Sequence, residues 1–175
     1  STLFKLLMGR LKPSQGSVRL FGIDPWSNTA PYRRVGYVSE SERMYDWMTG
    51  LDFVTTLARL HGMTREEATA RAEHVLDFVG LADVRNKELG KYSKGMRQRV
   101  KIAHALVHDP DLIILDEPTN YLDRESLGAL SNAINEFEGG VLIITHNKEF
   151  ADSCSRETWV VANNRCDVKG DAEWE

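Results

Sequence analysis

The sequence predicts an α/β fold, a mainly parallel sheet carrying a helical insert. Three short apolar runs read as buried strands: Val35-Gly-Tyr-Val38, Leu112-Ile-Ile-Leu115 and Val141-Leu-Ile-Ile144. They alternate with segments of helical periodicity, and strands alternating with helices make a parallel sheet. The middle run ends in two adjacent carboxylates, Asp116 and Glu117. Ligands of open α/β sheets bind at the carboxyl ends of the strands, so fold class and candidate chemistry point to one edge.

The elements follow in chain order. Ser1 to Met8 opens with hydroxyls and sets Leu3, Leu6 and Leu7 on one face, a helix start. Lys12-Pro-Ser-Gln-Gly16 is a turn, and the alternating Ser17–Phe21 predicts a strand. Val35–Val38 is the next strand. Gly50–Leu60 and Arg65–Val79 carry helical periodicity, with Thr64 as the cap of the second, so the stretch from about Trp47 to Gly90 is a helical insert. Ser93 to Val107 is a further helix with Ser93 at its start. Strand Leu112–Leu115, helix Arg124–Phe137, strand Val141–Ile144 and helix Lys148–Ala151 complete the alternation. Trp159–Ala162 and Arg165–Val168 predict a hairpin around Asn163-Asn164. The charged Thr64–His74 stretch reads as a solvated helix face. Trp26, Trp47, Trp159 and Trp174 read as core or edge fillers, and Asp167–Glu175 as a frayed acidic tail.

Composition narrows the class. A chain of 175 residues has room for one domain, and 42% hydrophobic with 27% charged residues is ordinary for a globular protein. A formal charge of -4 offers no basic surface, so no direct DNA binding is expected. No apolar run approaches the roughly 18 residues of a membrane span, and the first residues lack a signal-peptide layout. Cys154 and Cys166 show no metal-ligand pattern and suit a reducing compartment, so a cytoplasmic location is expected; a bridge between them stays open.

Three features carry candidate chemistry. Asp116 and Glu117 suit a hard cation and a water to be activated, against the plainer reading of a strand followed by a polar turn. Ser93 and Gly95, in Lys91-Tyr-Ser-Lys-Gly-Met-Arg-Gln-Arg99, stand at a helix N-terminus, where amides and dipole favour an anion; alone, a Ser cap beside an ordinary Gly explains them as well. His146 follows Val141–Ile144 in Thr145-His146-Asn147 and can hydrogen-bond a γ-phosphate or a lytic water, or serve as a capping residue. His104 and His108 have a metal-binding spacing but no third ligand, so a surface pair is expected.

In their order, these pieces resemble the nucleotide-binding domain of ABC-type ATPases: Ser1-Thr2 opening a helix, Glu40 after a strand, Tyr92–Arg99, Leu112–Thr119, Asn120-Tyr-Leu-Asp123 and Thr145-His146. The resemblance implies ATP and Mg²⁺ as ligands and a P-loop NTPase-like fold lacking its first strands. It divides the chain into a core (1–46 and 91–175) and a helical subdomain (47–90). It implies that Asp116 holds Mg²⁺ through water, that Glu117 is the general base, and that His146 senses the γ-phosphate. Ser93, Lys94, Gly95 and Met96 match the signature that meets the opposing subunit's nucleotide, with Lys94 and Met96 departing from its commonest form. Asp123 matches the acid at the dimer seam. Glu40 stands where glutamine is usual and would face the cation. Ser1 and Thr2 match the end of the phosphate loop, with the Ser1 hydroxyl on Mg²⁺. The glycines and Lys of G-x-x-x-x-G-K-[ST] do not occur, so a truncated chain with little ATP binding or hydrolysis of its own is expected.

Two branches of the family are echoed. Residues 1–110 look like a transporter ATP-binding subunit, through Arg33–Glu40, Met48-Thr-Gly50 and Ser93–Arg99. Residues 112–175 look like translation elongation factor 3, through Thr119–Asp123, Arg124–Leu130 and Phe137–His146. A divergent member and a hybrid both fit. The implied partners are a second ATPase domain in a head-to-tail dimer and a membrane-spanning subunit, which would bring the chain to the inner face of the membrane. A ribosome is the alternative partner, and a non-catalytic interaction fragment is a third reading.

Overall fold

The computed structural model describes residues 2–41, 43–162 and 165–170. Its centre is a three-stranded parallel sheet in the order β1 (Val35–Val38), β2 (Leu112–Asp116), β3 (Gly140–Ile144). Val35 pairs with Leu112, and Leu112 with Gly140, so the three strands run level and end at one edge. Strand alternation sorts the apolar run of β2 onto two faces. Ile114 packs with Phe4, Leu20 and Val35 on the side of α1 (Thr2–Leu7). Ile113 and Leu115 pack with Ile102 of α4 (Lys94–Leu106), Leu130 of α5 (Arg124–Glu136) and Phe150 of α6 (Lys148–Cys154). Burial on both faces is why the strand has no polar alternation.

The insert is a helical hairpin. Thr49 caps α2 (Gly50–Leu60) by accepting from the Asp52 N–H at 3.0 Å. Thr64 and Glu67 form a reciprocal capping box at the start of α3 (Arg65–Phe78). Val54 and Ala58 of α2 meet Ala68, Ala72, Val75 and Leu76 of α3, and this stripe closes on Val100, Ala103 and Val107. Helix α4 is therefore a wedge, with one side in the insert and the other on the sheet. Its seat on β1 is so close that a Cβ on Gly36 would lie 2.2 Å from the Ala105 carbonyl oxygen. Only glycine fits there.

Most expected elements are present, with corrections. Ser17–Phe21 forms no strand; Leu20 makes a single antiparallel bridge to Ile23, with Phe21 and Gly22 both at positive φ. The residue alternation is there, but no neighbouring strand among the described residues supplies a ladder. Trp26, Trp47 and Trp159 are exposed, not fillers; Trp174 lies outside the described residues. The hairpin is β4 (Glu157–Ala162) against β5 (Arg165–Gly170), so 167–170 belong to a strand and not to a frayed tail. Asn163, Asn164 and 171–175 lie outside the described residues. Cys154 is a free thiol donating to the Phe150 carbonyl.

His104 and His108 are not a surface pair. The His108 ring stacks on His61 at 3.8 Å, and its Nε2 lies 3.1 Å from the Val35 carbonyl oxygen. His104 meets the Phe53 ring edge-on. Both turn inward because the end of α4 is roofed by α2. Among the described residues, no three His, Cys, Asp or Glu side chains form a ready metal cluster.

Candidate functional site

The level ends of the three strands deliver the predicted residues to one edge. Beyond β1 comes exposed Glu40; β2 ends in Asp116 and is followed by Glu117; β3 is followed by Thr145 and His146. Asp116 pairs in register with Ile144. It accepts a long bond, 3.4 Å, from the Tyr37 hydroxyl of the adjacent strand. Burial, then the charge of Asp116, raises the pKa of that phenol, while Arg10 works the other way. Tyr37 is thus a neutral donor at any physiological pH.

Glu117 departs from strand geometry. Its φ is +49°, a left-handed conformation that costs a non-glycine residue about 1–2 kcal/mol. Its N–H donates to the Ile144 carbonyl at 2.9 Å, which fixes the turn. The carboxylate is largely enclosed, at 11% side-chain exposure, and faces His146: Oε1 lies 3.1 Å from Nε2, and Oε2 accepts the His146 N–H at 3.3 Å. The imidazole itself is 95% exposed. Below the pair, the Thr119 and Thr145 hydroxyls bond at 3.2 Å, and Thr145 also accepts the Asn147 N–H. Asn147 then caps α6 through the Phe150 N–H. The loops after β2 and β3 are thereby laced together.

A second group forms around Tyr121. Ser93 caps α4 by accepting the Met96 N–H at 3.1 Å, and its own hydroxyl proton is left for another acceptor. A Cβ on Gly95 would stand 2.9 Å from the Tyr121 carbonyl oxygen. The Lys94 ammonium lies 4.5 Å above the Tyr121 ring. Asp123 caps α5 by accepting from the Ser126 N–H at 2.8 Å, and that bonding lowers its pKa. Met96 packs partly into the helical cluster. Thr2 is exposed at the first turn of α1, whose helix covers the sheet face that Ile114 shares. Ser1 lies outside the described residues.

Sequence reading missed Tyr37, Thr119, Thr145, and two inner residues of α4, Gln98 and Lys101. The last two had a visible signal: polar side chains three apart on the buried stripe of an amphipathic helix.

A parallel sheet delivering two acids and a histidine to one edge, flanked by a helical insert, defines a nucleotide-binding α/β domain of the P-loop NTPase class. The family described as ABC transporter matches residues 1–120, and the chain belongs to that family. It is 31% identical over 175 residues to the uncharacterized ABC transporter ATP-binding protein YxlF of Bacillus subtilis, covering 99% of this chain and 58% of that protein. A solved ATP-binding subunit of an ABC transporter superposes with a TM-score of 0.86 at 25% identity, covering 97% of this chain and 72% of the other. Elongation factor 3 of Phytophthora infestans is 42% identical over 110 residues, 59% of this chain and 10% of that protein. Both branches seen in the sequence are therefore matched, the transporter branch over nearly the whole chain. The chain spans about three-fifths of YxlF.

Proposed function

We propose that the gene-encoded protein hydrolyses ATP at the carboxyl edge of β1–β2–β3, that the 175 residues alone are inactive, and that the hydrolysis drives membrane transport. The observation carrying this is the enclosed Glu117 carboxylate, 3.1 Å from His146 Nε2 and next in sequence to Asp116. Glu117 takes the proton of the attacking water, and His146, exposed above it, hydrogen-bonds the γ-phosphate. Asp116, which accepts a bond from Tyr37, would hold the hydrated cation, with Glu40 and Ser1 as further oxygen donors. The donor set fits Mg²⁺, which uses one or two carboxylates and completes its shell with water and phosphate oxygens. Bound Mg²⁺ would offset charge on the phosphate oxygens.

Residues Ser93, Lys94, Gly95, Met96 and Asp123 serve the opposing subunit. Their support is the exposed Tyr121, which Lys94 and Gly95 approach, beside the helix caps made by Ser93 and Asp123. The partner is a second such domain, head to tail, and a membrane-spanning subunit docks on the helical subdomain (47–90), at the inner face of the membrane. The core comprises 1–46 and 91–175. No helix among the described residues is long and apolar enough to cross a membrane. Because the 175 residues hold no G-x-x-x-x-G-K run, they bind MgATP weakly by themselves, and calorimetry showing micromolar affinity would contradict that.

The deciding experiment uses the protein as its gene encodes it. Glu117→Gln should lower ATP hydrolysis by about 100-fold or more, the usual worth of a general base, while ATP binding persists and gel filtration with ATP shows a trapped dimer. Equal rates in the two proteins remove Glu117 from this role.

A further inference from the structure

Two polar side chains on the inner face of α4 reach the loops of the site. Lys101 is buried, at 8% exposure, and its Nζ donates to the Ser39 carbonyl at 2.8 Å and the Ser41 carbonyl at 3.4 Å. These carbonyls flank Glu40. One helical turn earlier, Gln98 is 2% exposed, and its Nε2 donates to the Pro118 carbonyl at 3.0 Å, directly after Glu117. A single helix thus grips, through main-chain oxygens, both loops that carry acids of the edge. The helix begins at Ser93.

We propose that Lys101 is a positioning residue that sets the place of Glu40 at the nucleotide site, and that with Gln98 it makes α4 the rod linking the Ser93 tip to both acid-bearing loops. The proposal rests on the ATPase reading above. Its chemistry is that of a buried ammonium. Lysine carries three donors and no acceptor, and a charge in the interior is tolerated only when it is well bonded. The Ser39 carbonyl lies in the peptide that enters Glu40 and the Ser41 carbonyl one residue past it, so the two bonds pin the chain before and after Glu40. Peptide planarity then turns the Glu40 N–H away from Lys101, so the loop has one orientation relative to the helix. A neutral apolar side chain at 101 would release both carbonyls and let the loop rotate. Arginine would keep the charge and the donors.

The test uses the gene-encoded protein, MgATP as the probe, and three readouts. Lys101→Met should raise the Mg²⁺ concentration for half-maximal hydrolysis by about 10–100-fold, the range for losing a residue that orients a ligand, with the rate at saturating Mg²⁺ largely kept. Lys101→Arg should recover most of this. In a Glu40→Gln background, Lys101→Met should add little, because residues acting as one unit are not additive. Limited trypsin digestion should cleave faster after the exposed Arg43 in Lys101→Met and at an unchanged rate in α3. An unchanged Mg²⁺ requirement, or equal shifts in both Glu40 backgrounds, overturns the proposal; Lys101 would then be a buried charge that merely finds acceptors. A wild-type protein without ATPase activity overturns the function reading instead, and the rate of cleavage after Arg43 still decides the positioning role.

Discussion

Acid should unfasten the corner where α2 and α4 meet β1. His61 ends α2, and its ring lies parallel to that of His108 at 3.8 Å. His108 faces the Val35 carbonyl through Nε2, and its Nδ1 is enclosed without a partner. His104 sits beside them against Phe53. Protonating either residue puts a charge among three imidazoles, with Arg33 adding repulsion at His61 and only Asp109 and the Val35 carbonyl favouring it at His108. Burial first, and the neighbouring histidines second, lower the pKa of His104 and of His108 from 6.5 to about 4. The unfolded chain takes up these protons near 6.5, whereas the folded chain resists until about 4, so stability falls as the pH drops through that interval. For His104, the more enclosed of the two, the loss between about pH 7 and about pH 5 is about 2 kcal/mol, at 1.36 kcal/mol per decade of proton affinity. Glu67 and Asp123 have lowered pKa values, so the stability of their bonds is held above the ordinary carboxylate values and lost as the pH falls from there through their lowered ones, beneath this window. Urea unfolding at the two pH values, on wild type and His104→Leu, measures the effect. The variant should lose about 2 kcal/mol less than wild type on acidification. An identical pH dependence in both proteins refutes the reasoning.

Two further outcomes are expected. Leu76→Ala empties a fully buried position between α3 and α4 and should cost about 2–5 kcal/mol in denaturant unfolding, with the cavity adding to the lost transfer energy; a cost near zero would mean the cluster around Leu76 is not a packed core. Gly95→Ala places a methyl 2.9 Å from the Tyr121 main-chain oxygen, so the 120–123 loop must shift. ATP-induced dimerisation, read by gel filtration, should weaken, and a dimer as tight as wild type would detach Gly95 from the interface.

The sheet was legible because its strands are buried on both faces and so read as unbroken apolar runs at Val35, Leu112 and Val141. The helices were legible through their periodicity and through caps at Thr64 and Ser93, where a hydroxyl precedes the helix; the cap at Asp123 shows only in the structure. Ser17–Phe21 misled because alternation gives a strand only where a neighbour completes its ladder, and pairing is not written in one segment. The histidines misled for the opposite reason: a helix face is judged polar or apolar by its own residues, yet α2, distant in sequence, comes across to cover His104 and His108. Asp116, Glu117 and His146 could be placed at one edge from strand order alone. The grip of Gln98 and Lys101 could not, because it depends on which side of α4 meets the loops.

The two adjacent acids are sent to different surroundings by a single backbone turn. On a continuing strand, Asp116 and Glu117 would point to opposite faces of the sheet, Asp116 with Ile114 toward α1 and Glu117 into the apolar layer under α4 and α5. A carboxylate in that layer would be desolvated without a partner and costly. The left-handed turn at Glu117 ends the strand one residue early, and its N–H bond to Ile144 holds that turn in place. The side chain is carried sideways to the end of β3, where His146 meets it with both a main-chain and a ring nitrogen. The backbone strain at one residue is therefore what separates the surroundings of the two acids, and it explains why the second acid is enclosed while the histidine it meets stays exposed.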